Sequence, residues 1–266
     1  AYPDGIYISV SVEPGDWRKQ IMICEVPPVP ADRLSRGATE RLRALTATHR
    51  SYVIDKTHRC YFLYGDAGAG KTTFEVLFAR NFGGRALMLD ATSLPHITMR
   101  EWGFLIDTMR PKFLIIDDID RAPIGDVSAR ILFLLVRLKS HFPEMTLLLS
   151  ANDPTKLDPA MFRSGRIDVP IRMTAPTEEE TVAMVASLLA AHGVPEWKST
   201  RAVVDRIVQT AVDVNLAHAD IDGLCLRLKH EDVEAVLANV RLLKKLADDA
   251  NGCGGLKDKP NGAPPG

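Results

Sequence analysis

Cys60-Tyr61-Phe62-Leu63-Tyr64-Gly65-Asp66-Ala67-Gly68-Ala69-Gly70-Lys71-Thr72-Thr73-Phe74 is the stretch that decides the fold. It reads as an apolar strand, a glycine-punctuated loop and the start of a helix running to about residue 81. Residues 65–72 match G-x-x-x-x-G-K-[ST] in full. The glycines let the chain curl so that successive N–H groups face one anion. Lys71 can reach the β and γ phosphates, the Thr72 hydroxyl can ligate Mg²⁺, and the helix N-terminus adds its field to the same phosphates. An isolated match can arise by chance in a glycine-rich turn. The preceding strand and following helix are the context that the motif demands.

Working outward, strands are expected at residues 86–89, 113–117 and 145–150, with helices at 101–109 and 128–141 between them. Val169-Pro170-Ile171 is a last short strand, and its proline favours a sheet edge. This alternation predicts an α/β fold, a doubly wound, mostly parallel sheet with helices on both faces. A helix over residues 35–49 precedes it, anchored by Leu42 and Leu45. Residues 1–32 read as a separate β-rich segment. It has strands at 5–12 and 19–26, a turn at Pro14-Gly15-Asp16 and a stiff Pro27-Pro28-Val29-Pro30 spacer. Such a piece either packs on the main domain or is the remnant of a larger one.

After Ala175-Pro176 the pattern changes. Thr177-Glu178-Glu179-Glu180 is a capping box ahead of an apolar helix. Further helices fit 200–212, 217–228 and 230–248, with no strands between them. The expected organisation is therefore 1–32 β-rich segment, 33–175 α/β core, 176–250 small helical domain and 251–266 flexible tail.

The whole chain has 266 residues, 46% of them hydrophobic and 25% charged, with a formal net charge of −1. That balance excludes a largely disordered chain and gives no strongly basic surface for nucleic acid. No apolar run approaches the roughly 20 residues of a membrane span. Cys24, Cys60, Cys225 and Cys253 form no CxxC pair; Cys60 and Cys225 read as free, buried thiols, which points to a reducing compartment such as the cytoplasm. The opening Ala1-Tyr2-Pro3 carries neither Met nor a leader, as expected of a trimmed chain or a piece of a longer one.

Three further groups carry candidate chemistry. Phe113-Leu114-Ile115-Ile116-Asp117-Asp118 is a buried strand ending in two carboxylates. With a phosphate loop, Asp117 is the candidate for the Mg²⁺ shell and Asp118 for activating water, whereas Asp120 reads as structural. The alternative is an acidic cap on the next turn. Asn152 follows the 145–150 strand, where it could sit beside a γ phosphate and the attacking water, or simply form the turn before Asp153-Pro154. Arg163 and Arg166, in a Pro- and Gly-punctuated stretch, could stabilise transferred charge or make surface salt bridges.

Taken together, residues 33–247 resemble the AAA ATPases. Residues 65–72 correspond to Walker A, 113–118 to Walker B and Asn152 to sensor 1. The stretch Leu157-Asp158-Pro159-Ala160-Met161-Phe162-Arg163-Ser164-Gly165-Arg166-Ile167-Asp168 is similar to the family's second region of homology. Asn215-Leu216-Ala217-His218-Ala219-Asp220-Ile221 resembles the Leu-Ser-Gly-Ala-Asp stretch of its helical lid. Arg59-Cys60-Tyr61-Phe62-Leu63-Tyr64-Gly65 and the β-rich N-terminus resemble the Bcs1-type group.

The resemblance implies a P-loop NTPase core with a helical lid, and ATP and Mg²⁺ as cofactors in a cleft between the two. It implies contacts from Gly65 through Thr73 and from Ala219, and metal ligation by Thr72 and Asp117. Lys71, Asp118, Asn152, Arg163 and Arg166 would be catalytic. Arg163 and Arg166 would be arginine fingers reaching a neighbour's ATP, which implies a homo-oligomeric ring of six or seven subunits. The expected output is remodelling or translocation of a protein client by a compact bacterial or phage-encoded relative.

Two departures stand out. Asp118 replaces the glutamate of many relatives, and the segment Thr92-Ser93-Leu94-Pro95-His96-Ile97 lacks the aromatic–glycine pair with which threading relatives grip polypeptide. Leu94 and Ile97 are either loop anchors or a weak gripping surface. The rival functions are a nucleic-acid motor using a stripe of Arg100, Arg110, Lys112, Arg121, Arg130, Arg137 and Lys139, and a nucleotide-gated scaffold with little hydrolysis. Nucleic acid is not the expected partner, and no membrane contact is expected through this chain.

Overall fold

Residues 3–12, 20–29, 34–121, 124–214, 216 and 218–253 are described by the computed structural model of the chain. The chain divides into two compact units, Ala1–Pro176 and Thr177–Gly266.

The first unit is built on seven strands: β1 (Gly5–Val12), β2 (Gln20–Glu25), β3 (Arg59–Tyr64), β4 (Arg85–Asp90), β5 (Phe113–Asp117), β6 (Thr146–Ala151) and β7 (Val169–Arg172). They form one sheet in the order β2-β1-β4-β5-β6-β3-β7, antiparallel only between β1 and β2. The N-terminal segment, expected either to pack on the main domain or to be a remnant of a larger one, pairs into the main sheet. β1 pairs in parallel with β4, Ile6 opposite Ala86, and this meets the need of an otherwise marginal hairpin for a third strand. The turn expected at residues 14–16 lies outside the described residues.

Alternation along each strand sorts the core into two layers, because successive side chains point to opposite faces. On one face Cys60, Phe62, Leu87, Leu89, Leu114, Ile116, Leu147 and Leu149 pack beneath α3 (Met99–Met109) and α4 (Ile124–His141). On the other, Tyr61, Leu63, Ala86, Met88, Phe113, Ile115 and Leu148 pack beneath α1 (Arg36–Ile54) and α2 (Lys71–Arg80). Both faces are apolar, so the strands read as continuous hydrophobic runs. α1 runs five residues past its expected end, and α4 begins four before its expected start. Leu94 and Ile97 lie in the core at 0% and 1% exposure, so they are loop anchors and not a gripping surface.

Between α1 and the sheet sits His49, fully buried among Tyr61, Phe78, Phe82 and Phe113. Its Nδ1 is bonded to Tyr61 Oη at 2.9 Å and its Nε2 to Thr146 Oγ1 at 3.2 Å, which rivets α1 to β3 and β6. Burial, helped by the Arg59 charge, lowers its pKa to about 4.

The second unit packs four helices, α5 (Glu178–Ala191), α6 (Arg201–Asp213), α7 (His218–Leu228) and α8 (Val233–Cys253), around Val185, Leu189, Ile207, Ile221, Cys225, Leu228 and Val236. The Thr177 capping box is formed, its hydroxyl accepting from Glu180 N–H and the Glu180 carboxylate from Thr177 N–H. Lys198 Nζ donates to Leu228 O and Glu231 O, closing the C-terminal end of α7. α8 extends to Cys253, into the expected tail; residues 254–266 lie outside the described residues. Cys60 and Cys225 are buried, and burial pushes the Cys225 thiol up to about 12.

Because folded His49 resists protonation while the unfolded imidazole titrates near 6.5, its contribution is complete above pH 6.5. It falls as the pH drops towards 4, by at most ~1.4 kcal/mol per pH unit. Thermal melts at pH 7 and pH 5 should show a smaller acid-induced loss in His49→Gln than in the unsubstituted chain.

Candidate functional site

Parallel pairing brings the C-terminal ends of β3, β5 and β6 to one edge, where α/β sheets hold their ligands. Leu63 is level with Ser150 and Tyr64 with Ala151, so the loop after β3 emerges beside Asn152. At its first residue Gly65 has φ +136°, and a Cβ there would lie 1.9 Å from Met173 O. At its end Gly70, at φ +86°, caps α2 in the left-handed conformation.

Lys71 opens α2 and turns back under the loop, 5% exposed. Its Nζ donates to Gly65 O and Asp66 O at 2.8 Å and to Asn152 Oδ1 at 2.7 Å. A buried ammonium needs such a set of acceptors. Burial lowers its pKa, while Asp118 and Asp117 act in the opposite direction. Asn152 is therefore no turn former: its Nδ2 donates to Asp118 Oδ1 at 3.0 Å, so it joins the lysine to the acid. The turn is made by Asp153, whose carboxylate accepts from Thr155 N–H.

Thr72 Oγ1 donates to Asp117 Oδ2 at 2.7 Å. Hydroxyl and carboxylate at one point are the oxygen donors a hard cation takes, and Mg²⁺ characteristically keeps its remaining positions for phosphate and water. The described residues include no cluster of three or more His, Cys, Asp or Glu fit to hold a metal by themselves. These two residues suit a shared Mg²⁺. Ser150 Oγ donates to Asp117 Oδ1 and accepts from Asp118 N–H.

Asp118, next to Asp117, lies at φ +51°. Its Oδ2 is 3.0 Å from Arg121 Nε. Burial raises its pKa, with Asp117 acting in the same sense and Arg121 opposing. Asp120 is structural, as expected: its two oxygens accept from the N–H groups of Asn152 and Asp153, both at 3.0 Å.

The arginines differ. Arg163 is exposed, whereas half-buried Arg166 donates through Nη1 to Ala160 O and holds the short turn Pro159–Phe162 of its own chain. Ala219 lies in α7 of the second unit, with its side chain outside the described ones; Asn215 and Ala217 also lie outside. Two of the basic residues expected to form a stripe, Lys112 and Arg121, lie apart. Lys112 precedes β5 and Arg121 follows it, at opposite ends of the sheet, and the side chains of Arg130, Arg137 and Lys139 are outside the described ones.

Glu75 is a residue that motif reading missed. It is fully buried, one helical turn beyond Lys71, and neither carboxylate oxygen has a hydrogen-bond partner. Burial raises its pKa well above the ordinary value, and Asp117 and Asp118 add to this. The available signal was periodicity: residues 71, 74, 75, 78 and 79 are the inward face of α2, and an acid at 75 falls within it.

Residues 61–175 match the model of the ATPase family associated with various cellular activities (AAA). The chain is similar to a probable mitochondrial chaperone bcs1 of Schizosaccharomyces pombe, 28% identical over 190 residues covering 67% of this chain and 40% of that protein. It is also similar to ATPase family gene 2 protein homolog B of Bos taurus, 26% identical over 242 residues covering 78% of this chain and 30% of that one. A third relative is the 26S proteasome regulatory subunit S10B homolog B of Arabidopsis thaliana, 26% identical with coverage of 52% and 40%. The chain thus spans well under half the length of these relatives. Among the described residues no helix is long and apolar enough to cross a membrane.

Replacing Glu75 by Met should raise stability by about 1–3 kcal/mol in urea unfolding, because a buried acid without a partner is lost. Unfolded Glu75 ionises above about pH 4.5 while the folded carboxyl stays protonated, so the unsubstituted chain loses stability as pH rises; the variant should lose less. Gly65→Ala should cost about 2 kcal/mol or more, since Met173 O must move.

Proposed function

We propose, from the match of residues 61–175 to the AAA family model, that the chain is a Mg²⁺-dependent ATPase. In this reading it works as a homo-oligomeric ring, of six or seven subunits, that remodels or translocates a protein client. Residues 33–175 are the ATPase core and 176–250 its helical lid. The observation that carries the proposal is the convergence of Lys71, Thr72, Asp117, Asp118 and Asn152. Three strand ends bring them into one hydrogen-bonded cluster.

Lys71 binds the β and γ phosphates by exchanging the carbonyls of Gly65 and Asp66 for phosphate oxygens, while the loop N–H groups hold the rest of the anion. That exchange releases Asn152 from the ammonium and lets its amide orient the attacking water. Asp118 accepts the proton of that water as it attacks. Thr72 and Asp117 hold Mg²⁺, which supplies charge neutralisation at the phosphates. Arg163, whose backbone caps the Pro159–Phe162 turn while its side chain is exposed, serves a neighbour's nucleotide. The names of the relatives, a chaperone and a proteasome regulatory subunit, support a protein client.

A nucleotide-gated scaffold is favoured by one observation: both Asp118 oxygens already carry a donor, on a side chain one methylene shorter than glutamate. Steady-state phosphate release at saturating ATP separates the two readings, since a scaffold binds without turnover.

Lys71→Ala should abolish ATP binding in a fluorescent-nucleotide titration. Arg163→Ala should preserve binding and lower turnover on the order of 10³-fold. Arg166→Ala should lower turnover and also the melting temperature, because the Pro159–Phe162 turn loses its tie. Mixing Arg163→Ala with Lys71→Ala subunits should restore part of the hydrolysis. A monomer hydrolysing at full rate, insensitive to dilution, would overturn the shared site.

A further inference from the structure

Asp118 holds a left-handed backbone, φ +51°, that a residue with a Cβ keeps only where its surroundings over-determine it. Its N–H donates to Asp117 Oδ1 at 3.1 Å and to Ser150 Oγ at 3.0 Å. The next N–H, that of Ile119, donates to Ser150 O at 2.8 Å. The carboxylate takes Asn152 Nδ2 on one oxygen and Arg121 Nε on the other, both at 3.0 Å. Arg121 closes on Asp118 a second time through its backbone, N–H to Asp118 O at 3.0 Å.

These restraints differ in what ATP can do to them. Asn152 is tied to Lys71, so a triphosphate that draws the ammonium away also loosens the amide from Asp118. Arg121 is tied to Asp118 alone among these groups, and its side chain is 60% exposed against 22% for Asp118. The Asn152 bond to Asp118 is thus linked to the lysine that meets the nucleotide, whereas the Arg121 bond to the other oxygen has no such link.

We propose that Arg121 is a positioning residue that restrains Asp118, so that this ion pair lowers the share of Asp118 free to act and slows ATP turnover without affecting ATP binding. The inference rests on the reading of Asp118 as the residue that accepts the proton of the attacking water. A water approaching the carboxylate must share or displace the Arg121 bond on Oδ2. In addition, the backbone bond from Arg121 N–H to Asp118 O keeps the guanidinium close to the carboxylate. An exposed pair of this kind is weak and opens readily, so it slows the cycle by a small factor and does not block it.

The test is steady-state hydrolysis by the full chain, with KM and with affinity for a slowly hydrolysed ATP analogue measured separately. Arg121→Gln should raise kcat two- to fivefold with KM and analogue affinity unchanged. Arg121→Lys, which keeps the cation, should stay near the unsubstituted rate, a recovery that a merely structural role for the side chain would not give. Arg121→Glu, which repels the carboxylate, should be at least as fast as Arg121→Gln, and guards against a Gln variant that folds poorly. Melting temperatures report on folding for all three. An unchanged or lower kcat in well-folded Arg121→Gln and Arg121→Glu overturns the restraint. A failure of the underlying assignment looks different: the unsubstituted chain binds no ATP, or Asp118→Asn turns over at the unsubstituted rate.

Discussion

The site depends on a positive charge placed inside the protein. Lys71 is almost fully buried, and its ammonium is tolerable there only because two loop carbonyls and the Asn152 amide surround it. That requirement shapes everything nearby. The loop must curl until Gly65 O and Asp66 O point inward, which is why Gly65 lies in a region closed to a Cβ and directly against Met173 O. β6 must end level with β3 so that Asn152 arrives at the third position. A ligand rich in negative oxygens can take over the same donors, so the conformation that satisfies the lysine internally also prepares it for phosphate.

Charge of the opposite sign is crowded within reach. Asp117, Asp118 and Glu75 come from two elements, and burial together with mutual repulsion raises the proton affinity of Asp118 and Glu75. Such an arrangement is poor for stability and suited to a site that expects cations. Glu75 is the extreme case, an acid on the core face of α2 without a hydrogen-bond partner. The serine beneath the acids, Ser150, moderates the crowding by serving both Asp117 and the backbone of Asp118.

Much of this was legible in the sequence because it is local. The strand–loop–helix at residues 60–74, the paired acids after Phe113 and the Thr177 capping box each contain their own explanation within a few residues. What escaped was non-local. Whether Asn152 made a turn or reached the lysine depended on the register of β3 against β6. The N-terminal strands carried nothing in their own pattern to say that they would continue the sheet past β4. Leu94 and Ile97 resembled a surface loop until the packing of α3 and α4 enclosed them. Arg163 and Arg166, three residues apart and alike by type, were separated only by which of the two side chains meets the Ala160 carbonyl.

The last strand, β7, has a consequence for self-association. It is four residues long and carries Pro170, which lacks the N–H that a further strand would need. At that margin the sheet is protected against continuation by another molecule's backbone, and so against runaway β-stacking. Any contact with another copy there would be made by side chains and turns, whose geometry can change without tearing a ladder of backbone bonds. In the ring proposed above, a blunted border of this sort would separate reversible docking from irreversible aggregation.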